Sequence, residues 1–237
     1  MADEPRTAAE PGRRLQPLSP MRAAIARRMS QSKQQAPHIY LSTDVELDPA
    51  QAALDRLNEG RPREERITLT AALVRALALT LPEEPTLNAW WTDGGPELID
   101  EPTIGVAIAL DDGLIAPALV GSGTLDVAGI AAALRDLSAR ARAGRLRSRE
   151  MTDATFTLTN LGMFPVTNFA AIINPPQVAI LAIGRSEERP RIVDGAVVVR
   201  SIATMTLSAD HRVVDGAVGA RFLGRLKARL EAPAWIG

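Results

Sequence analysis

Residues 178–183 read Val-Ala-Ile-Leu-Ala-Ile, an unbroken apolar run of strand length. A strand of that composition is buried on both faces, so it belongs in the middle of a sheet that is itself covered. A second period-2 segment runs from Ala154 to Asn160. There Phe156 and Leu158 point one way, and Thr155, Thr157 and Thr159 the other. Ile39 to Leu47 and Val197 to Ser208 read as further strands. Thr103 to Leu110 and Leu114 to Val120 are apolar runs joined by Asp111-Asp112-Gly113, a hairpin signal. Helical periodicity interleaves with these strands. Ser19 is a good N-cap with Pro20 at the first helical position, and Met21, Ile25 and Met29 recur at every fourth residue. Asp48 to about Gly60, Ile67 to Leu81, Leu125 to about Ala143, and Asp215 to Leu230 are the other helical spans. The two periods mix without strict βαβ alternation, which implies an α/β two-layer sandwich around a mixed sheet. Residues 1–18, rich in Pro, Ala, Arg and Glu without periodicity, read as a flexible arm or linker ahead of a domain spanning 19–237.

Composition excludes several classes of chemistry. The 237 residues contain no cysteine, so there are no disulfides, thiolate metal sites or cysteine nucleophile. Only two histidines occur, His38 and His211, which rules out a multi-histidine metal centre. A net charge of −1 draws the chain neither to nucleic acid nor to acidic membranes. The acidic start Met1-Ala2-Asp3-Glu4 lacks the apolar run of a signal peptide, and no stretch is long and apolar enough for a membrane span. The expected location is the cytoplasm. Lysine is nearly absent, only Lys33 and Lys227 being present.

The chemistry concentrates in Ser208-Ala209-Asp210-His211-Arg212-Val213-Val214-Asp215-Gly216. His211 follows a strand, and imidazole is the side chain best suited to accept a proton near neutral pH. Asp215, at the opening of the last helix, can bind an arginine or cap that helix. A bare H-x-x-x-D is more often a loop histidine beside a helix cap. A second segment supplies what a histidine base needs: Thr155 to Gly162 ends a strand with a hydroxyl that could donate to an oxyanion, although a threonine-rich strand face is also ordinary for a sheet. His38 suits a structural or channel-lining role. Arg135, Arg140, Arg142, Arg145, Arg147 and Arg149 read first as a solvated helix face and second as a dock for an acidic carrier or for coenzyme A phosphates. Trp90 and Trp91 read as core or interface anchors, and Asn160 and Gly162 as shaping the turn beside Thr159.

Six segments occur in order: Pro17-Leu18-Ser19-Pro20-Met21-Arg22, Ala36-Pro37-His38, Asp112-Gly113-Leu114-Ile115, Thr157-Leu158-Thr159-Asn160-Leu161-Gly162, Ile173-Asn174-Pro175-Pro176-Gln177 and Asp210 to Gly216. In that order and spacing, over residues 17–233, the chain resembles the dihydrolipoamide acyltransferase core of 2-oxo acid dehydrogenase complexes. Asn160 to Phe164 and Asn168 to Asn174 look most like its acetyl-transferring, pyruvate dehydrogenase branch. The resemblance implies a chloramphenicol-acetyltransferase-like fold, a homotrimer with active sites between subunits, and coenzyme A and a lipoyl group as substrates without a metal. It implies His211 as general base, Thr159 of the neighbouring subunit as oxyanion donor, and Asp215 as a residue holding the site's geometry. Thr159 stands where acetyl-transferring members usually carry serine and succinyl-transferring ones often carry threonine. Neither lysine lies in an Asp-Lys-Ala hairpin, so the lipoyl group is expected in trans, on a lipoyl domain, with the other complex subunits as partners. The chain then reads as an excised core or a stand-alone subunit. The tail Ala232 to Gly237 looks short for joining trimers into cubic or dodecahedral cores, though Trp235 and Ile236 could serve as an apolar knob. Two other readings stay open: a coenzyme A-dependent acyltransferase with a non-lipoyl acceptor, and a catalytically idle trimeric scaffold.

Overall fold

A computed structural model describes residues 14–110 and 112–236. The first 13 residues of the predicted arm, Asp111 of the predicted hairpin turn and Gly237 of the tail lie outside the described residues. Residues 14–18 carry no regular structure. Helix α1 (Pro20–Gln35) begins as expected, the Arg22 N–H donating to Ser19 Oγ at 3.1 Å. Strand β1 (His38–Glu46) leads to α2 (Asp48–Leu57) and α3 (Leu69–Thr80). A small hairpin, β2 (Ala89–Thr92) and β3 (Gly95–Leu98), precedes four short strands: β4 (Ile104–Val106), β5 (Ile108–Leu110), β6 (Gly113–Ile115) and β7 (Ala118–Leu119). Then come α4 (Val127–Arg142), α5 (Ser148–Thr152), β8 (Phe156–Asn160), β9 (Ala179–Ile183), β10 (Glu187–Val193), β11 (Ala196–Asp210) and α6 (Gly216–Glu231).

The main sheet has the order β1-β11-β9-β8-β4-β7, with β10 paired to the first half of β11. β8 is parallel to both β9 and β4, whereas β1, β9 and β10 run antiparallel to β11, so the sheet is mixed. β9 lies between β8 and β11 and is buried throughout, the place its apolar run demands. The predicted 103–120 hairpin is split. Its base, β4 with β7, joins the main sheet, and its tip, β5 with β6, forms a separate ribbon paired from Ile108↔Ile115 to Leu110↔Gly113.

One face of the sheet is apolar. Phe156, Leu158, Leu181, Met205 and Leu207 share a core cluster with Leu73 and Leu77 of α3, Ile130 of α4, and Phe222 and Leu226 of α6. The rings of Phe156 and Phe222 meet at 5.8 Å between centroids, tilted by 49°, an offset geometry that aromatic pairs favour. α3 is buried along nearly its whole length because α4 and α6 flank it. The other face carries hydroxyls. Thr155, Thr157, Thr159, Thr204, Thr206 and Ser208 are all buried rather than solvated, and the irregular segment between β8 and β9 reaches this face through Gln177, which bonds Thr157. Among the described residues, no helix is long and apolar enough to cross a membrane.

Three elements were not anticipated: the β2–β3 hairpin, α5 and β10. β10 and β11 are joined by Asp194-Gly195, both at positive φ (51° and 81°), the conformation of a type I′ turn. The tail folds back on its own chain: the Trp235 indole N–H donates to the Arg229 carbonyl at 2.9 Å, and Ile236 is 2% exposed.

The irregular segment is clamped where β9 ends. A Cβ at Gly184 would lie 2.0 Å from the Thr167 carbonyl oxygen, and the Arg185 N–H donates to the Val166 carbonyl at 2.7 Å. Backbone on both sides leaves no side chain that could yield. Gly184→Ala is therefore expected to destabilise the chain by about 3 kcal/mol in urea unfolding, the upper range of overpacking costs. A loss below about 0.5 kcal/mol, an ordinary surface value, would show that the segment is not held there.

Candidate active site

β11 ends at Asp210, and the chain turns immediately. The Asp210 N–H donates to the Val178 carbonyl at 2.8 Å, and its carbonyl accepts the Val213 and Val214 N–H groups, each at 2.9 Å. The His211 N–H donates to the Pro37 carbonyl at 2.8 Å, tying the turn to the start of β1. The imidazole of His211 is exposed and has no hydrogen-bond partner among the described residues. Asp215 caps α6, its Oδ1 accepting the Val218 N–H at 2.8 Å. That bond holds the Asp215 carboxyl below the usual carboxylate range, with smaller help from Arg221 and His211. Of the two uses expected for Asp215, capping is the one realised.

Thr159 lies in β8, buried to 7% exposure. Thr157 and Thr159 of this strand, and Thr155 just before it, differ. Thr155 Oγ1 donates to Asn88 Oδ1 and Thr157 Oγ1 to Gln177 Oε1, each at 2.6 Å, whereas Thr159 Oγ1 has no partner among the described residues. Asn160 and Gly162 shape the turn as expected, the Gly162 N–H donating to Asn160 Oδ1 at 2.7 Å. Asn160 Nδ2 also reaches Thr70 Oγ1 of α3 at 3.2 Å.

The register fixes how far apart these groups are. Thr159 is level with Ala182 of β9, and Ala182 with Thr206 of β11. His211 is five residues beyond Thr206. At ~3.3 Å per residue and ~4.8 Å per strand, the two sites are about 17 Å apart along the sheet and about 10 Å across it. One chain thus brings Asp215 to His211 but does not bring Thr159 to either.

His38 is structural, as expected. Its Nε2 accepts the Ile173 N–H at 3.2 Å, so the ring proton sits on Nδ1, which donates to the Ala36 carbonyl at 2.7 Å. Burial pushes its pKa below the ordinary histidine value. The arginine-rich segment is partly neutralised: Arg140 pairs with Asp136 at 2.8 Å and Glu150 at 2.5 Å, and Arg149 with Asp153 at 2.8 Å. That favours the solvated-face reading.

Sequence reasoning missed Asp210, Arg212 and the role of Trp91. The Asp210 carboxylate is 2% exposed and receives the Arg212 backbone N–H at 3.0 Å and its guanidinium at 2.6–3.1 Å. This pairing pushes the Arg212 pKa above its ordinary value. The guanidinium stacks on Trp91 with its carbon 3.7 Å from the ring centroid. The three residues line a cleft of about 500 Å³ together with Gln31, Gln35 and Gln177. The signal available was the Asp-x-Arg pair around His211, but its burial is a tertiary fact.

Comparison with known proteins agrees with this architecture. Residues 10–237 match the family model of the 2-oxoacid dehydrogenases acyltransferase (catalytic domain). The dihydrolipoyllysine-residue acetyltransferase component of the pyruvate dehydrogenase complex of Zymomonas mobilis is 41% identical over 221 residues, 92% of this chain and 50% of that protein. The chain spans about half the length of the curated relatives it matches. A crystal structure of the Azotobacter vinelandii dihydrolipoamide acetyltransferase superposes with a TM-score of 0.90 at 27% identity, covering 100% of this chain and 99% of that one. That structure comes from a study of a serine, a histidine and an asparagine in the catalytic mechanism, the serine 52 positions before the histidine and the asparagine four after it. Chloramphenicol acetyltransferase superposes with a TM-score of 0.58 at 12% identity, over 86% of this chain and 94% of that one, a likeness of fold alone. The expected chloramphenicol-acetyltransferase-like α/β sandwich is thus the fold observed, and the chain belongs to the 2-oxoacid dehydrogenase acyltransferase family as its catalytic domain.

Proposed function

We propose that this domain moves an acyl group, acetyl in the leading assignment, between a lipoyl dithiol and coenzyme A in the cytoplasm. One observation carries the reading. Thr159, His211 and Asp215 stand at the same offsets, 52 before and four after the histidine, as the serine, histidine and asparagine studied in the Azotobacter enzyme. His211 is the exposed imidazole, and Thr159 is, among the described residues, the hydroxyl of β8 without a partner, placed to serve an incoming oxyanion.

The step needs one base and one donor. His211 takes the proton from the coenzyme A thiol, and the resulting thiolate attacks the carbonyl carbon of the acyl-dihydrolipoamide thioester. The hydroxyl of Thr159 donates to the oxygen of the tetrahedral intermediate. Collapse breaks the old C–S bond, and the departing dihydrolipoamide thiolate recovers the proton from the His211 imidazolium. The reverse direction uses the same groups. Thioester exchange between thiols is near-balanced, so positioning and proton transfer carry the rate.

The separation within one chain supports a pairing of His211 with Thr159 of a neighbouring subunit. This supports a homotrimer with sites between subunits, the unit from which larger cubic or dodecahedral assemblies are built. The lipoyl group is carried on a lipoyl domain outside these 237 residues, which also serves the other subunits of the complex. Both lysines of this chain are engaged in its own fold: Lys33 bonds the Tyr40 hydroxyl, and Lys227 bonds the Asp44 carbonyl at 2.8 Å.

The test is transfer from acetyl-CoA to free dihydrolipoamide. Wild type is expected to be active and His211→Ala nearly inert with its assembly intact. Thr159→Ala should cost about 10²-fold in turnover, the usual worth of one oxyanion donor. A wild type inert with acetyl, succinyl and branched-chain acyl-CoA alike would overturn the reading in favour of another acceptor or a scaffold. Asp215→Asn is expected to keep activity within about threefold, because asparagine caps a helix as well as aspartate does, while Asp215→Ala loses more. Equal losses in both variants would assign the role to the charge of Asp215 rather than its cap.

A further inference from the structure

A general base must be aimed to within about 0.5 Å and 10–20° of its productive pose by groups that are themselves locked. His211 lacks the usual device, since no side chain among the described residues bonds its ring. The residues on either side of it are locked instead. Asp210 and Arg212 bond each other across His211 through the backbone N–H and the guanidinium, with the carboxylate almost wholly buried. Charge-assisted, two-point bonds of this kind are among the strongest and most directional available to side chains. Arg212 then stacks on Trp91, and the Trp91 N–H donates to the Pro176 carbonyl at 2.6 Å. The clip is therefore anchored to a different strand and to the loop below it.

We propose that Asp210, Arg212 and Trp91 form a positioning clip that aims the His211 imidazole, holding the backbone on both sides of the base while leaving its ring free to reach the thiol. The clip rests on the acyltransferase reading for its purpose, but its physical claim concerns the pose of His211 alone. Arg212 is spent on Asp210 and Trp91, so it is not a substrate-binding cation. Methionine at 212 would strand a buried carboxylate beside the base. Removing the carboxylate as well relieves that cost without rebuilding the clip's stack.

Two readouts on the full chain test this. In the transfer assay, Arg212→Met should lower kcat by about 10²-fold, the effect of misplacing a group by about 1 Å, with KM for coenzyme A and dihydrolipoamide changed by less than about twofold. The double variant D210N/R212M should regain about tenfold in kcat over Arg212→Met, and Arg212→Lys should fall between wild type and Arg212→Met. The second readout needs no activity. With only His38 and His211 present, ¹³C-labelled histidine gives two imidazole signals, assigned with His211→Ala. The His211 signal should be single and narrow in wild type and broadened or split in Arg212→Met and in Trp91→Leu, with the His38 signal unmoved. A His211 signal unchanged in both variants would overturn the clip. So would a tenfold rise in KM at unchanged kcat, which would make Arg212 a substrate contact. A wild type inert in transfer but showing the expected histidine signals would sink the proposed reaction and leave the clip standing.

Discussion

The fifteen-residue strand β11 holds the molecule together through its pairing. Its first half carries β10, its second half lies between β1 and β9, and its last residue opens the turn that presents His211. In a strand, alternate residues face opposite sides, so its register decides two things together. Met205 and Leu207 enter the apolar core only if Thr204, Thr206 and Ser208 face the other way. A slip of one residue would bury hydroxyls among leucines and expose the core set. The same register places Thr159 level with Thr206 and leaves His211 five residues beyond. The separation of Thr159 from His211 within one chain thus follows from strand pairing rather than from any feature of the loops.

The hydroxyl-bearing face is the other half of that bargain. A buried hydroxyl without a partner costs free energy, so nearly all find one. Thr155 and Thr157 are satisfied by Asn88 and Gln177, Thr206 by Ser42, and Thr204 by Asp44. The segment between β8 and β9 is fastened by similar bonds, from Ser32 to the Ile173 carbonyl, from the Ile173 N–H to His38 and from Arg185 to Val166. Thr159 Oγ1, without a partner among the described residues, is the hydroxyl to which the proposed reaction gives the oxyanion. The Ser208 hydroxyl is also buried without a partner, and the chemistry proposed here gives it no part.

Much of this was legible in the sequence where one local signal sufficed. The Ser19 cap, the apolar β9, the long helical spans and the Asp215 cap all follow from periodicity and capping chemistry, and the order of six motifs carried the family. The misses share a cause. β10 reads Glu-Glu-Arg-Pro-Arg-Ile-Val, too charged to look like a strand, and it forms by pairing along its whole length with β11, where Arg189 and Arg191 also reach Asp44. The β2 and β3 strands have only four residues each and are held by bonds from Trp90 to Ala154 and from Trp91 to Pro176, distant in sequence. The partnership of Asp210 with Arg212 was in plain view as two letters, but its strength comes from burial, which only the tertiary fold supplies.

If the base and the oxyanion donor belong to different subunits, as proposed, mixed assembly of two defective chains restores activity. His211→Ala and Thr159→Ala chains, each inert or nearly so alone, would be unfolded together, refolded in equal amounts and assayed for acetyl transfer. In a cyclic trimer with shared sites, about a quarter of the interfaces would combine an intact His211 with an intact Thr159, so about a quarter of wild-type activity should return. Activity no higher than the average of the two separate variants would contradict the account, because it would mean that both groups must come from one chain.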